Sequence, residues 1–567
     1  EPAASPRGRR KILRFSLGEA ASILSNEAPA ATRIAADRPF AEPVALQSDA
    51  RDVRMDRADV CVVGAGHNGL ITAVFLARAG LRVVVCDERE EVGGACKTER
   101  PFPRAPQLAT STGAYLLGLM PPELIDELGV EIPTIRRDPH YFLPTLDRRF
   151  LLFGSDQAAL QRQLGEFFSP ADAVAVQKLD RELAELREDL AAAWLAEPLP
   201  LEETAERCVR PGNRAAFIDL CRRPISDYLA RFEFRSDLLA GMYAVTDGFT
   251  GVHGGWDTPG VGMNFLLHNI GRLPGSDGTW MIVRGGMGVV TQRLAEAARR
   301  AGANIETNRR VASIDVRHGQ IEGVTLADGR RLAAPVVVVN ADPFRMRSLV
   351  GREKLPSEFN NWLDSRLRDG TSLKVNLCLD GLPTFRCLPE NQGQFGATIH
   401  LLPQNDPIGA LRQAYAEACA GRLPERPPIE WYVHTTVDPT LQDSAGRHNA
   451  AFFVQWVPYR LAESDWATEE SRYVQRLLAI ADEFAPGVSK LVRDAFVLSP
   501  PKIESHFGIT RGHIQHIDNT FGFTERLPYR LPLGGLYACG AGCHPGGSVI
   551  GAAGRNAARV VLGDLAK

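Results

Sequence analysis

A cluster of three glycines constrains the fold of this chain more than any other feature of its sequence. Gly64, Gly66 and Gly69 form a G-x-G-x-x-G motif directly after a short apolar run at 60–63, and a helical pattern follows over 70–79. Gly64 permits a tight turn after a strand, Gly66 lets a backbone approach a ligand closely, and Gly69 lets the helix pack against the strand. The motif therefore predicts a strand, a glycine turn and a helix in direct succession.

The residues after this helix complete a βαβ unit. Gly80 ends the helical pattern, and a second apolar run at 81–86 leads to Asp87. In such a unit a pyrophosphate lies at the helix N-terminus, where free N–H groups and the helix dipole favour negative charge. An acid at the end of the second strand accepts hydrogen bonds from a ribose diol. The sequence therefore predicts a dinucleotide-binding site that includes Asp87 and all three glycines.

The composition of the chain excludes several functional classes. It has 567 residues with 65 Lys and Arg against 68 Asp and Glu, a near-neutral balance that argues against a nucleic-acid-binding protein. No apolar run approaches the roughly 18 residues of a membrane span, although contact with a membrane surface stays open. None of the ten cysteines forms a C-x-x-C pair, and Cys61 and Cys86 lie in apolar runs typical of packed thiols. We therefore expect a reducing, cytoplasmic compartment.

The order of the patterns along the chain predicts a discontinuous α/β architecture. We expect a Rossmann-like domain that the chain enters three times, with two insertions forming an α+β substrate domain that contains a mostly antiparallel sheet. In the insertions, Ser169-Pro170 opens a helix with an apolar stripe, and residues 371–380 alternate like a half-buried strand. The expected segments are an N-terminal arm (1–57), the nucleotide-binding domain (58–155, 276–345 and 501–567), a helical insertion (156–275) and a sheet-forming insertion (346–500).

The first 57 residues differ from everything that follows them. They are rich in Ala, Arg, Ser and Pro, and the first fourteen hold five basic residues against a single acid, Glu1. Three interpretations stay open: a flexible arm, an arm docked on a partner subunit, and a targeting or membrane-touching segment. The second interpretation is compatible with a homodimer.

Further motifs resemble those of a known family. Gly93-Gly94 follows Asp87 closely, and a second Gly-Gly there resembles the FAD-type rather than the NAD-type extension of the motif. Over 58–563 the chain resembles the phytoene-desaturase-related FAD-dependent oxidoreductases, nearest to the branch called pyridine nucleotide-disulfide oxidoreductase domain-containing protein 2. Other runs that carry this resemblance are Thr258-Pro-Gly260, Gly285-Gly-Met-Gly288, Asp438-Pro-Thr-Leu441 and Gly540-Ala-Gly-Cys-His-Pro-Gly-Gly547.

This resemblance implies a noncovalently bound FAD. Val311 matches the position whose backbone meets the adenine, and Gly93 and Gly94 belong to the extended glycine motif. The run at 540–549 would lie against the flavin ring and the ribityl chain, with a purely structural glycine turn as the alternative. The contacts implied in this run are Gly540, Gly546, Gly547, Ser548 and Val549.

Catalytic side chains are harder to assign, because in hydride transfer the flavin ring is itself the electrophile. His544 lies in the closing turn, where it could act as an acid or base near neutral pH, or bond to backbone and fix the turn. Asp247 and His268 match family-like positions in the helical insertion, with a structural hydrogen bond as the alternative for each.

Two other chemistries are disfavoured by the sequence. Disulfide reduction needs two cysteines on adjacent turns, but Cys539 and Cys543, the close pair, straddle a glycine turn, and no second G-x-G-x-x-G unit exists. His513, His516 and Asp518 are an incomplete metal-ligand set in surroundings that look strand-like, which would place the histidines on opposite faces. We therefore expect no metal site.

The resemblance favours an FAD-dependent oxidoreductase of the dehydrogenase or desaturase type. It implies hydride transfer to flavin from an apolar, polyene or isoprenoid-like substrate, with oxygen, a quinone or another carrier as electron acceptor. The apolar strands of the inserted sheet would line the substrate tunnel. Three alternatives stay open: a flavin-dependent isomerase or saturase, a flavin amine oxidase with an aromatic cage, and a non-enzymatic flavoprotein.

Overall fold

The computed structural model describes residues 56–276 and 278–567. The predicted arm therefore lies outside the described residues, except for its last two, which form the first strand. The strands are β1 Asp56–Arg57, β2 Val60–Val63, β3 Val83–Cys86, β4 Thr98–Glu99, β5 Thr110–Ser111, β6 Thr134–Ile135, β7 Tyr141–Pro144, β8 Phe150–Phe153, β9 Ile282–Val283, β10 Asn304–Glu306, β11 Val311–Arg317, β12 Gln320–Leu326, β13 Arg331–Ala333, β14 Val336–Val339, β15 Ser372–Leu379, β16 Thr398–Leu401, β17 Ile429–Tyr432, β18 His448–Gln455, β19 Val492–Leu498 and β20 Leu536–Ala538.

The helices alternate with these strands and fill the first insertion. The α-helices are α1 His67–Arg78, α2 Pro122–Leu128, α3 Gln157–Gln163, α4 Pro170–Asp189, α5 Leu201–Cys208, α6 Arg214–Arg222, α7 Ile225–Ala230, α8 Asp237–Tyr243, α9 Val261–His268, α10 Gly288–Arg300, α11 Pro343–Val350, α12 Ser357–Asp364, α13 Pro407–Cys419, α14 Trp466–Phe484, α15 Val488–Leu491, α16 Pro500–Phe507 and α17 Ala552–Leu565. Two π-helical turns lie at Leu164–Phe168 and Ala244–Gly248.

A five-stranded parallel sheet surrounds the glycine motif. Its order is β10–β3–β2–β14–β20, and every neighbouring pair runs parallel. β2 and β14 are buried throughout, and their valine-rich sequences suit a parallel sheet that helices cover. α1 packs against α10 and α17. The predicted βαβ unit is therefore confirmed.

A second, seven-stranded sheet has the order β19–β15–β18–β17–β16–β7–β8. All its neighbouring strands are antiparallel except β16 and β7, which confirms a mostly antiparallel sheet. The prediction of a half-buried strand at 371–380 is wrong, because every residue of β15 is buried. One face of β15 packs with α14 in an apolar core that includes Val375 and Leu477. On the other face, Lys374 lines an interior cavity.

The first insertion folds into helices, as its apolar periodicity predicts. α4 begins at Pro170, and the Ser169 hydroxyl caps it by accepting a hydrogen bond from the backbone N–H of Asp172 at 3.1 Å. Its apolar stripe, which includes Leu179 and Leu186, is buried in the core that joins these helices. The stripe therefore has a packing role, as the sequence indicates.

Candidate functional site

A large cavity joins the carboxyl ends of the parallel strands to the inner face of the seven-stranded sheet. Its volume is about 330 Å³. Gly64, Gly66 and Asp87 line it on the side of the parallel sheet, whereas Lys374 and Glu430 line it on the side of the second sheet. Open α/β sheets bind ligands outside the carboxyl ends of their strands, so this position suits a cofactor site.

The glycine motif forms a tight turn that larger residues would disrupt. Gly64 has φ +102°, and a Cβ on Gly66 would lie 2.8 Å from Asn340 Nδ2. A Cβ on Gly69 would lie 2.2 Å from the carbonyl oxygen of Gly64, so α1 could not stay packed on the turn. Gly66 provides no side-chain cap, and the first turn of α1 carries no acidic residue. The exposed N–H groups of this helix end fit a pyrophosphate.

Asp87 lies at the end of β3, beside the same turn. Its Oδ2 accepts a hydrogen bond from the backbone N–H of Ala65 at 2.6 Å, and its Oδ1 accepts one from the N–H of Arg89 at 2.9 Å. Burial nevertheless raises the pKa of Asp87. Both oxygens keep a further lone pair, which is the acceptor that a ribose hydroxyl requires. Gly93, Gly94 and Val311, which the family resemblance implies as further FAD contacts, also line the cavity.

The closing turn contributes part of the cavity wall. Gly547, Ser548 and Val549 line the cavity, whereas Gly540 and Gly546 lie outside its lining. Ser548 and Val549 have φ values of 61° and 56°, a left-handed conformation that is strained for a β-branched residue such as valine. Strain of this kind persists where the surrounding structure imposes it, typically at ligand sites.

A buried arginine holds the closing turn in place. Arg526 donates hydrogen bonds to the carbonyl oxygens of Ala541 at 2.8 Å and Cys543 at 3.2 Å. It also donates to Asn519 Oδ1 at 2.8 Å, so one guanidinium joins two loops. Burial lowers the pKa of Arg526 to about 10, which still leaves it charged near neutral pH. Sequence reasoning missed this positioning role, because most of these partners are backbone carbonyl oxygens, which carry no signature in the sequence.

The first catalytic candidate, His544, is directed away from the cavity. Its Nε2 lies 3.2 Å from the carbonyl oxygen of Ala193, and its ring stacks on Trp194 at a centroid distance of 5.9 Å. Burial lowers the pKa of His544 to about 4, so the ring is neutral at physiological pH. Since His544 is not part of the cavity lining, this geometry favours the structural interpretation over an acid–base role.

The other two candidates, Asp247 and His268, line the cavity. Asp247 belongs to the π-helical turn at 244–248, and burial raises its pKa to about 7. His268 Nε2 lies 3.4 Å from Ser548 Oγ, and Nδ1 lies 3.3 Å from the carbonyl oxygen of Thr246. Burial lowers the pKa of His268 to about 4. His268 therefore links α9 to the closing turn as a neutral ring.

The far end of the cavity is a chamber of aromatic and ionisable side chains, of which the sequence analysis identifies only Asp247. We define this polar chamber by its lining residues Tyr115, Arg137, Asp247, Lys374, Glu430, Tyr432 and Phe453. Lys374 Nζ lies 4.0 Å from the ring centroid of Tyr115 and 3.8 Å from that of Phe453, a cation–π arrangement. Burial lowers the pKa of Lys374 to about 7.

Glu430 is the second residue of the polar chamber whose pKa is shifted by burial. Burial raises its pKa to about 8, and the negative charge of Asp247 adds to this shift. Strands of this sheet line the cavity, as the sequence predicts, and Tyr432 and Phe453 contribute rings to the lining. The lining is mixed rather than wholly apolar, because Lys374 of β15 and Glu430 of β17 add ionisable groups. A charged residue in the middle of each apolar strand, in Leu373-Lys374-Val375 and Ile429-Glu430-Trp431, was the available signal.

Neither of the disfavoured chemistries gains support from the geometry. All ten cysteines are free, and Cys539 and Cys543 are buried outside the cavity lining. The strand-like reading around His513 is wrong, because a 3₁₀ turn at Thr510–Gly512 precedes it and its Nε2 pairs with Asp518 Oδ2 at 3.0 Å. Within 56–276 and 278–567, no group of three His, Cys, Asp or Glu residues could hold a metal ion.

Comparison with known proteins identifies the family. The family model described as flavin containing amine oxidoreductase matches residues 69–383. The chain belongs to this family. It is therefore an FAD-dependent oxidoreductase, and the expected resemblance and α/β fold class are confirmed. The glycine turn, the uncapped helix end and Asp87 would hold the cofactor's pyrophosphate and ribose.

The chain is similar to two curated proteins and to one solved structure. The chain is 33% identical to pyridine nucleotide-disulfide oxidoreductase domain-containing protein 2 of Mus musculus, over 92% of this chain and 96% of that protein. It is 27% identical to hydroxyneurosporene desaturase of Cereibacter sphaeroides, over 89% and 98% of the two chains. The structure of wild-type putrescine oxidase bound to putrescine shares the fold, with a TM-score of 0.56, 17% identity, and coverage of 90% and 99%.

The described helices also bear on membrane association. Across 56–276 and 278–567, none combines the length and the apolar character that crossing a bilayer demands.

Proposed function

We propose that this protein is an FAD-dependent dehydrogenase that removes a hydride from a carbon atom of a substrate held in the polar chamber. The observation that carries this proposal is the continuity of the cavity, whose lining includes Gly66 of the cofactor turn, Ser548 of the closing turn and Lys374 of the chamber. When bound, FAD supplies a ring that accepts a hydride. The desaturase among the relatives supports oxidation at carbon.

The chamber residues can orient a substrate and manage its proton. The rings of Tyr115, Tyr432 and Phe453 offer an apolar surface that excludes water. Lys374 Nζ, with a pKa of about 7, can accept or release a proton near neutral pH. Glu430, with a pKa of about 8, holds its proton at neutral pH. These groups suit a substrate with an apolar body and a polar end, rather than a wholly apolar polyene.

The alternative of an amine oxidase is disfavoured by the same chamber. An amine substrate would need an aromatic cage for its ammonium group. The cage formed by Tyr115 and Phe453 already holds Lys374 Nζ, and Arg137 adds a second cation to the chamber. A substrate ammonium would therefore meet like charge.

Anaerobic mixing of the holoenzyme with a panel of compounds tests this proposal. The panel contains alcohols, alkenes and carboxylic acids with alkyl or aromatic bodies, together with the matching amines. We expect a compound that has no amino group to bleach the visible absorption of the flavin. Bleaching by amines alone would assign the protein to the amine oxidases. A flavin that no compound bleaches would contradict dehydrogenase activity, and reoxidation by oxygen or a quinone would identify the acceptor.

A further inference from the structure

Arg137 is a buried cation with unused hydrogen-bonding capacity. Its side chain is 2% exposed, and it lines the polar chamber. Nε donates to the carbonyl oxygen of Trp280 at 2.8 Å, and Nη1 donates to Thr398 Oγ1 at 2.8 Å. Among residues 56–276 and 278–567, Nη2 has no hydrogen-bond partner. Two bonds therefore fix the guanidinium plane and leave one nitrogen for a ligand.

A second unpaired donor lines the same chamber. The hydroxyl of Tyr115 is buried and has no hydrogen-bond partner in the part of the chain that the structure describes. Tyr115 lies beside Tyr432, with ring centroids 5.3 Å apart. Burial raises the pKa of Tyr432, and the positive charge of Arg137 opposes that rise. Buried donors without partners are costly, so two of them in one chamber indicate a missing acceptor.

The charges of the chamber indicate that this acceptor is an anion. Its two carboxyl groups are Glu430, with a pKa of about 8, and Asp247, with a pKa of about 7. Both are protonated to a large extent at neutral pH, so they compensate the positive charge of Arg137 incompletely. An isolated buried charge is unfavourable, and a bound anion would both balance it and accept from Nη2.

We propose that Arg137 binds a carboxylate group of the substrate, with the Tyr115 hydroxyl as a second donor. The substrate class is then a carboxylic acid whose alkyl or aromatic body packs against the rings of the chamber. Planar guanidinium groups favour carboxylates because the two match in geometry, and charge-assisted bonds are stronger than neutral ones. This assignment rests on the proposed function, because it places the substrate in the chamber.

Calorimetric titration of the oxidised holoenzyme with non-reducing probes tests this assignment without turnover. The probes are phenylacetate and decanoate, each paired with its neutral amide. We expect each acid to bind wild type at least about tenfold more tightly than its amide. Arg137→Met should weaken acid binding by at least about tenfold and change amide binding by less than about twofold. The neighbouring Arg136, which is exposed, provides the matched control Arg136→Met, and this variant should bind both probes as wild type does.

A conservative variant guards against a folding defect. Arg137→Lys keeps the charge and loses the planar fork, so acid binding should fall to a value between those of wild type and Arg137→Met. Retention of FAD and an unchanged Tm are the checks on folding. If Arg137→Met loses FAD, Arg137→Lys replaces it in the comparison of acid and amide binding. If Arg137→Lys binds the acid and the amide as tightly as wild type does, the carboxylate site is overturned.

The outcomes separate the carboxylate site from the dehydrogenase proposal. Acids and amides that bind equally well to wild type, while the flavin is still bleached by a substrate, would overturn the carboxylate site alone. Chloride or phosphate that displaces the organic acids at equal concentration would assign Arg137 to an inorganic anion and overturn its substrate role. A flavin that no compound reduces, with acids still bound through Arg137, would overturn the dehydrogenase proposal and leave an acid-binding flavoprotein.

Discussion

Burial brings the pKa values of Lys374 and Glu430 close to neutral pH. The pKa of Lys374 falls to about 7 and that of Glu430 rises to about 8, although neither is near these values in water. Both residues lie in fully buried strands and are flanked directly by apolar side chains. Charged groups in such positions are costly, so their presence marks a site that function maintains.

The substitution Glu430→Gln should change how thermal stability depends on pH. Because folding raises the pKa of Glu430 from 4.5 to about 8, the protonated form contributes stability that is fully present below pH 4.5 and lost as pH rises through about 8. Glutamine mimics the protonated acid at every pH. The Tm of wild type should therefore fall relative to that of Glu430→Gln between pH 5 and pH 8.5, by on the order of 3 °C.

The exposed Glu425 supplies the control for this measurement, because its substitution by glutamine should leave the pH dependence unchanged. Parallel Tm curves for wild type and Glu430→Gln would show that Glu430 is ionised in the folded protein at neutral pH, against our interpretation.

Residue-level prediction from the sequence succeeded where a short segment defines the geometry. Gly64, Gly66 and Gly69 required only their own spacing and the strand before them. The polar chamber could not be found in this way, because Arg137 and Lys374 are 237 positions apart in the numbering and meet only through the fold. For His544 the sequence leaves an acid–base role and a structural role open, and the packing of its ring on Trp194 favours the structural role.

At the scale of elements, we predict that the contact between α1 and the turn before it controls FAD affinity. The substitution Gly69→Ala would place a Cβ 2.2 Å from the carbonyl oxygen of Gly64 and push the helix end away from the turn. We expect FAD affinity to fall by roughly 10- to 100-fold, measured by fluorescence titration of the apoprotein. Gly563→Ala is the matched control, since a Cβ there meets no atom within 4 Å. Equal FAD affinity in both variants would contradict this role of α1.

The closing turn is tied to the helical insertion by His544. The substitution His544→Gln should lower stability by about 1–3 kcal/mol, seen as a lower Tm, because it removes the stacking on Trp194 and the bond to Ala193. The rate of flavin reduction and its pH profile should stay as in wild type, since the ring lies outside the cavity lining. A lower reduction rate at unchanged Tm would instead give His544 a catalytic role.

Element prediction was accurate for the βαβ unit and for α4, where periodicity and capping are local. It failed for the burial of β15, because alternating polar and apolar residues predict a strand with one face exposed to solvent. In the folded protein no residue of β15 is exposed, and Lys374 on its polar face lines the interior cavity. The periodicity of a single strand cannot distinguish a polar face exposed to solvent from one that lines a cavity enclosed by distant segments.

At the scale of the whole molecule, the parallel sheet and the seven-stranded sheet line one cavity together. The parallel sheet contributes the cofactor turn and Asp87, and the seven-stranded sheet contributes Lys374 and Glu430. The helical insertion adds Asp247 and His268 between them. We therefore propose that the polar chamber, where both sheets and the helical insertion contribute side chains, sets the substrate specificity of this protein.

The most direct test of a substrate site in the polar chamber is the anaerobic rate of flavin reduction in wild type and in Lys374→Met. The reductant is the compound that bleaches the wild-type flavin fastest, and Lys490→Met, which removes an exposed lysine, is the control. We expect Lys374→Met to retain FAD and to be reduced at least about tenfold more slowly, with Lys490→Met equal to wild type. Equal rates in all three proteins would contradict a reaction in the polar chamber.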